Sequence, residues 1–248
     1  MKKTMLAICF IAMQSIIAGN AAATNFQCEK VFSSSLQVSN VKHCNSSYVN
    51  NLPNPKKIGR VLFNNALFFS VLKNNNLGAV KILFRNGERK TVYRSAYLAG
   101  SPLCIHALSK RKIQTVVNLY SGHLGYAAHM HSLEAAIFKA NGVRHYLRIN
   151  NYMVDALRLP QKKLNNKIAN IIKKIITAKG NVLIHCYTGE HDTGVIFGVL
   201  NKCLNKQSPK AIQENTSCHM GHTSKYGQKT YLRVTKIIRH FPCSLLHK

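Results

Sequence analysis

The residue best placed to do chemistry is a cysteine between an apolar run and an apolar helix. Residues 182–194 read Val-Leu-Ile-His185-Cys186-Tyr187-Thr188-Gly189-Glu190-His191-Asp192-Thr193-Gly194. A buried strand is expected to end at His185-Cys186. A short loop containing Gly189 follows, and a helix is expected from Thr193. In that arrangement the backbone N–H groups of the loop point inward as an anion nest, and the helix adds its positive end. Both effects are expected to lower the thiol pKa and favour the nucleophilic thiolate. Such a thiolate can attack phosphorus and carry the phosphoryl group covalently, splitting one hard step into two.

The stretch resembles the H-C-x5-R-[ST] signature of the protein tyrosine and dual-specificity phosphatase superfamily. His185, Cys186, Gly189, Thr193 and Gly194 match it, and Asp192 stands where the arginine belongs. The resemblance spans roughly residues 81–240. Tyr93-Arg94-Ser95-Ala96, the run at 115–119 and Ala211-Ile212-Gln213-Glu214 are similar to the bacterial branch close to plant and fungal dual-specificity-like enzymes. It implies Cys186 as nucleophile, with His185, Tyr187, Thr188, Gly189, Glu190, His191, Asp192 and Thr193 forming the phosphate loop. It also implies a general acid on a loop about thirty residues before the cysteine, where Asp155 lies. Asp155 would protonate the leaving oxygen and then activate water. No cofactor is implied.

Asp192 changes what such a loop can do. An arginine there grips two phosphate oxygens with its planar fork, and losing an arginine from phosphoryl transfer can cost about 10³–10⁵ in rate. A carboxylate also repels a phosphate dianion, and Glu190 adds to that. The cations expected nearest are Arg94, Arg144, Arg148 and Arg158; none falls between Cys186 and Lys202. Two functions follow. One is a weakened or retargeted phosphatase of phosphate monoesters. The other is an inactive pseudophosphatase that binds a phosphorylated or polyanionic partner. A metal site is a third arrangement, using His185, His191 and Asp192 or the cluster Cys218-His219-x-x-His222, but neither spacing is a standard zinc pattern. No metal is expected.

Composition sets the context. The 248 residues carry 35 Lys and Arg against 7 Asp and Glu, a formal charge of +28. A field of that sign attracts polyanions, so a phosphorylated protein, a phosphoinositide or another polyanion is the expected partner. The lysines are scattered and no nucleic-acid motif is present, so nucleic acid is not expected. Lys2 and Lys3, an apolar run at 5–17 and Ala21-Ala22-Ala23 read as a secretory signal over residues 1–23, too short to span a bilayer comfortably. The protein is therefore expected in the periplasm or secreted. Removing Cys9 with the signal leaves seven cysteines. If Cys186 is free, the other six can pair, Cys28 with Cys44 being the natural local bridge.

The elements that must position Cys186 read as an α/β domain: a central, mostly parallel sheet flanked by helices, phosphatase-like, over residues 76–248. An irregular extension over 24–75, rich in Asn and Ser, precedes it, with an apolar helix or strand at 61–72. A hairpin is expected at 81–93 around a two-residue Asn86-Gly87 turn. Helices are expected at 101–112, at 132–141 capped by Ser132, at 162–178, 193–205, 209–218 and 228–240. Strands are expected at 115–119, 143–149 and 181–185. In the 162–178 helix, Leu164, Ile168, Ile171, Ile172, Ile175 and Ile176 form one stripe.

Overall fold

The computed structural model describes residues 75–84, 87–99, 102–120, 127–149, 159–220 and 225–246. Among these, the chain runs β1 (Gly78–Leu83), β2 (Arg89–Ser95), α1 (Pro102–Ser109), β3 (Ile113–Asn118), α2 (Ala127–Ala140), β4 (His145–Arg148), α3 (Gln161–Thr177), β5 (Asn181–His185), α4 (His191–Cys203), α5 (Pro209–Met220) and α6 (Lys225–His240). A 3₁₀ turn, Cys243–Leu246, follows. The expected signal segment, the extension over 24–74 and the Cys28–Cys44 bridge lie outside the described residues.

The sheet has the order β1-β2-β5-β3-β4. β1 and β2 are an antiparallel hairpin, and every other pair is parallel. This is the α/β arrangement with a mostly parallel sheet that strand–helix alternation requires. β5 lies at the centre and is buried on both faces. Val182 and Ile184 face the cluster built with α3, α4, α5 and α6. Leu183 faces the one built with α1 and α2. A parallel strand covered on both sides is a continuous apolar run, which is why Val182-Leu183-Ile184 is legible from residue types alone.

Several boundaries differ from expectation for identifiable reasons. The hairpin does not close on a two-residue turn: Phe84 N donates to Glu88 O and Gly87 N to Phe84 O. Phe84, not residue 85, therefore faces Glu88, and Gly87 supplies the left-handed backbone (φ 80°) such longer loops use. Ser132 lies inside α2, which begins at Ala127, five residues before the expected cap. Gly142 does follow that helix with φ 84°, the left-handed stop that glycine favours. α3 buries Leu164, Ile168, Ala169, Ile171, Ile172 and Ile175 on one face, close to the expected stripe. α6 begins at Lys225 and α5 ends at Met220. The shift that matters for chemistry is in α4. It starts at His191, two residues before the expected Thr193, and so takes Asp192 into its first turn.

Cys203 and Cys243 are joined by a disulfide that ties α4 to the end of the chain after α6. Cys104 and Cys218 are disulfide-bonded as well, and Cys186 is a free thiol. Among the described residues no helix is long and apolar enough to cross a membrane.

Candidate active site

β5 delivers Cys186 to the edge of the sheet where the parallel strands end, the position at which α/β sheets present their sites. Its neighbours hold the strand end from both sides: Ser95 and Asn118 lie in register with His185, and Leu119 N donates to His185 O at 2.8 Å. The loop beyond is then pinned through three successive carbonyls. Tyr97 N donates to Tyr187 O at 2.9 Å. Asn76 Nδ2 donates to Thr188 O at 3.1 Å. Arg94 Nη2 donates to Gly189 O at 2.5 Å. Carbonyls turned outward in this way leave the N–H groups to face inward, and those of Gly189 and Thr193 are directed at the Cys186 sulfur. The loop thus forms a nest of donors that converge on the cysteine.

Gly189 is required at this point. Its φ is 74°, and a Cβ there would sit 2.5 Å from Ser95 O and 2.7 Å from Ser95 C. Both the left-handed backbone and the close approach of β2 exclude a side chain.

The electrostatics depart from expectation. The Cys186 thiol is pushed up rather than down, first by its burial and then by the Asp192 carboxylate. Hydrogen bonding from Thr193 and Gly189 lowers it but does not win. The physical reason lies in the α4 boundary. A carboxylate in the first turn of a helix takes up the favourable positive end of that helix, and here it stands where a bound anion would profit from the same field. Asp192 and Glu190 are both buried, at 4% and 1% exposure, so water screens them poorly. His191 Nε2 is 3.7 Å from Glu190 Oε2.

Of the four expected cations, Arg94 is at the loop. It is 1% exposed, and its guanidinium lies 5.1 Å from the Phe197 ring of α4. Burial lowers its pKa to about 9, opposed by Cys186 and Glu190, so it remains a cation at neutral pH. It is therefore a buried positive charge near Cys186 and Glu190, engaged with the outward side of the loop backbone. Arg144 and Arg148 are exposed on and beside β4. Arg158 and the expected general acid Asp155 lie outside the described residues.

A second buried network supports the strand end. Glu134 on α2 lies 3.1 Å from His185 Nε2, both side chains fully buried. Glu134 also accepts from Leu98 N at 2.9 Å and from Tyr146 Oη at 2.5 Å. Asn118 Nδ2 donates to Tyr146 Oη at 2.7 Å. The Glu134 carboxyl is lowered despite its burial, first by His185 beside it and then by the hydrogen bonds from Leu98 and Tyr146. Sequence reasoning missed Glu134 and Asn76. The signal for Glu134 was its rarity, as one of 7 acidic residues in 248; for Asn76 there was none. At the surface the Tyr187 ring is exposed and lies 5.3 Å from that of Tyr120, giving the loop an aromatic margin.

The alternative metal clusters are not assembled by this arrangement. Cys218 is disulfide-bonded, His219 Nδ1 is 2.6 Å from Asn76 Oδ1, and His185 is engaged with Glu134. His222 lies outside the described residues. Among the described residues no group of three ligand-type side chains is placed to hold a metal.

No protein-family model matches the chain, and no curated protein matches its sequence. Solved structures do. TpbA from P. aeruginosa is similar over 63% of this chain and 84% of its own, at 18% identity and a TM-score of 0.46. The core catalytic domain of the PP-IP phosphatase SIW14 from S. cerevisiae, in complex with citrate, is similar over 67% of this chain and 85% of its own. There the identity is 17% and the TM-score 0.44.

Proposed function

We propose that this protein is an exported, attenuated cysteine phosphatase of the tyrosine and dual-specificity type, acting on phosphate monoesters through a Cys186 phosphoenzyme. The observation that carries the reading is the free, buried Cys186 at the end of β5, with the Gly189 and Thr193 N–H groups of the loop turned toward its sulfur. In the reaction, the Cys186 thiolate attacks phosphorus as the bond to the leaving oxygen breaks, and Asp155 gives that oxygen its proton. Water, deprotonated by Asp155, then attacks phosphorus, releasing phosphate and restoring the thiolate. The loop N–H groups hold the equatorial oxygens where charge accumulates.

Attenuation follows from the raised thiol and from Asp192. The bidentate arginine is absent, and Arg94 supplies charge without presenting its fork from within the loop. Export accords with the disulfides at Cys104, Cys203, Cys218 and Cys243, since such bonds persist in oxidising compartments. A phosphorylated protein, a phosphoinositide or another polyanion is the partner a +28 chain would attract. The position of Asp192 in the first turn of α4 favours a second reading: a pseudophosphatase that binds such a partner without turning it over.

Hydrolysis of a generic aryl phosphate by the mature protein, Cys186→Ser and Asp192→Arg separates them. Weak activity abolished in Cys186→Ser and raised about 10³-fold or more in Asp192→Arg is expected. A silent native protein switched on by Asp192→Arg establishes the pseudophosphatase. Silence from all three removes the phosphoenzyme chemistry altogether.

A further inference from the structure

Among the described residues, the β4 edge of the sheet carries a second feature, and it is independent of whether Cys186 turns over. β4 pairs with β3 on one side and ends the strand order. Along it runs a groove of about 530 Å³ lined by all five residues 145–149 together with Lys174, Thr177 and Lys179 from the end of α3 and beyond. A groove lined by consecutive residues of one strand, not alternate ones, opens onto the strand's edge and so onto its backbone N–H and C=O groups. A second depression of about 320 Å³ continues it through Ile149 and Lys174, adding Lys167, Asn170 and Lys173. His145, Arg148, Lys167, Lys173, Lys174 and Lys179 thus border one track, and among the described residues no acidic one lines either part. The track follows β4 toward Arg148 and Ile149, at the same end of the parallel sheet as Cys186.

We infer that this track receives an extended acidic peptide, phosphorylated or Glu- and Asp-rich, added to β4 as a further strand. Backbone pairing would supply affinity, and the basic rim would choose the sign of the partner. Charge disfavours a basic segment or a second copy as the added strand. Residues 24–74 of this chain hold one acidic residue, Glu29, against six Lys and Arg. A second copy brings another +28. Lysines on a sheet edge also blunt pairing between like chains, and that same blunting leaves an acidic strand welcome. The exposed strand backbone favours a peptide over a nucleic acid, which has no ladder of N–H and C=O groups to offer.

The test is fluorescence anisotropy of a labelled, phosphate-free Glu-rich peptide on the full mature protein, so that the result does not depend on phosphatase chemistry. Lys174 and Lys179 are both exposed, and the double reversal Lys174→Glu with Lys179→Glu is expected to weaken binding at least ~10-fold. The control pair, Lys81→Glu with Lys110→Glu, places the same charge change at exposed positions on β1 and after α1, and is expected to shift it ~3-fold or less. N-methylating alternate backbone nitrogens of the peptide is expected to weaken it ~10-fold, because it removes ladder donors. Equal losses from both reversal pairs, or no loss on N-methylation, would overturn the inference in favour of diffuse attraction. A single-stranded polynucleotide that binds more tightly and loses affinity on the same reversal would overturn it in favour of nucleic acid. Circular dichroism of both variants verifies that they remain folded.

Discussion

Replacing Asp192 by asparagine isolates the charge that sets this site apart, with little change in shape. Asp192 and Cys186 are each 4% exposed, and the carboxylate is the second cause, after burial, of the raised thiol. Two like charges buried together are poorly screened by water, so the Asp192 carboxylate disfavours the thiolate. Asp192→Asn is therefore expected to lower the Cys186 pKa, leaving the burial contribution in place. At a pH below both midpoints the thiolate fraction rises in step with that fall in pKa. Each thiolate is less nucleophilic as its pKa falls, with a Brønsted slope of about 0.4–0.5, so on a logarithmic scale roughly half of that gain survives as faster attack. The assay is the rate of Cys186 alkylation by iodoacetamide against pH, followed by mass spectrometry with the disulfides intact. Access to the buried sulfur scales the rate at every pH alike, whereas the midpoint reports the pKa. A midpoint unmoved or raised in Asp192→Asn would refute the electrostatic reasoning. The raised thiol would then be burial alone, and Asp192 would not explain any attenuation.

Gly189→Ala should destabilise the protein by at least ~2 kcal/mol, because φ 74° and a Cβ 2.5 Å from Ser95 O leave no room; urea unfolding measures it, and a neutral result would mean the loop is held less tightly by β2. Glu134→Gln weakens the buried carboxylate that accepts from Leu98 N and Tyr146 Oη and faces His185, and should cost about 1–3 kcal/mol, detected in the same unfolding experiment; an unchanged midpoint would show the carboxylate to be dispensable. Stability should also fall on acidification. His219 is held well below the usual histidine value by burial and Arg94, so its contribution is complete above 6.5, where the unfolded histidine is neutral too, and declines as pH drops below that. Glu134 is held below its ordinary 4.5, so its contribution is full above 4.5 and lost as pH falls through the folded value. Thermal melts from neutral to acid pH should show Tm declining in two stages, and a Tm that rises on acidification would contradict both assignments.

The amino-acid sequence alone determined the local frame of the site. Val182-Leu183-Ile184 announces a strand buried on both faces, Gly189 marks a loop needing left-handed backbone, and the isoleucine stripe of α3 defines the face packed on the sheet. These are readable because they depend on the properties and spacing of near neighbours. The sequence also set the charge, +28 with 7 acidic residues. The sign of the Cys186 shift was decided only by tertiary structure. Loop hydrogen bonds and a helix terminus argue for a lowered thiol, and the balance turned on how deeply residues 186 and 192 were buried together. Starting α4 at His191 moved Asp192 from the loop into the helix's first turn. Arg94 reached the loop through sheet pairing, since β2 lies beside β5 with Arg94 in register with Ile184. Glu134 met His185 because α2 packs over the sheet, and Asn76 met Thr188 and His219 across separations of 112 and 143 residues. The edge of β4 became a groove only because the strand order left it last. Contacts of this kind depend on which distant segments share a layer, and no local pattern of residue types encodes that.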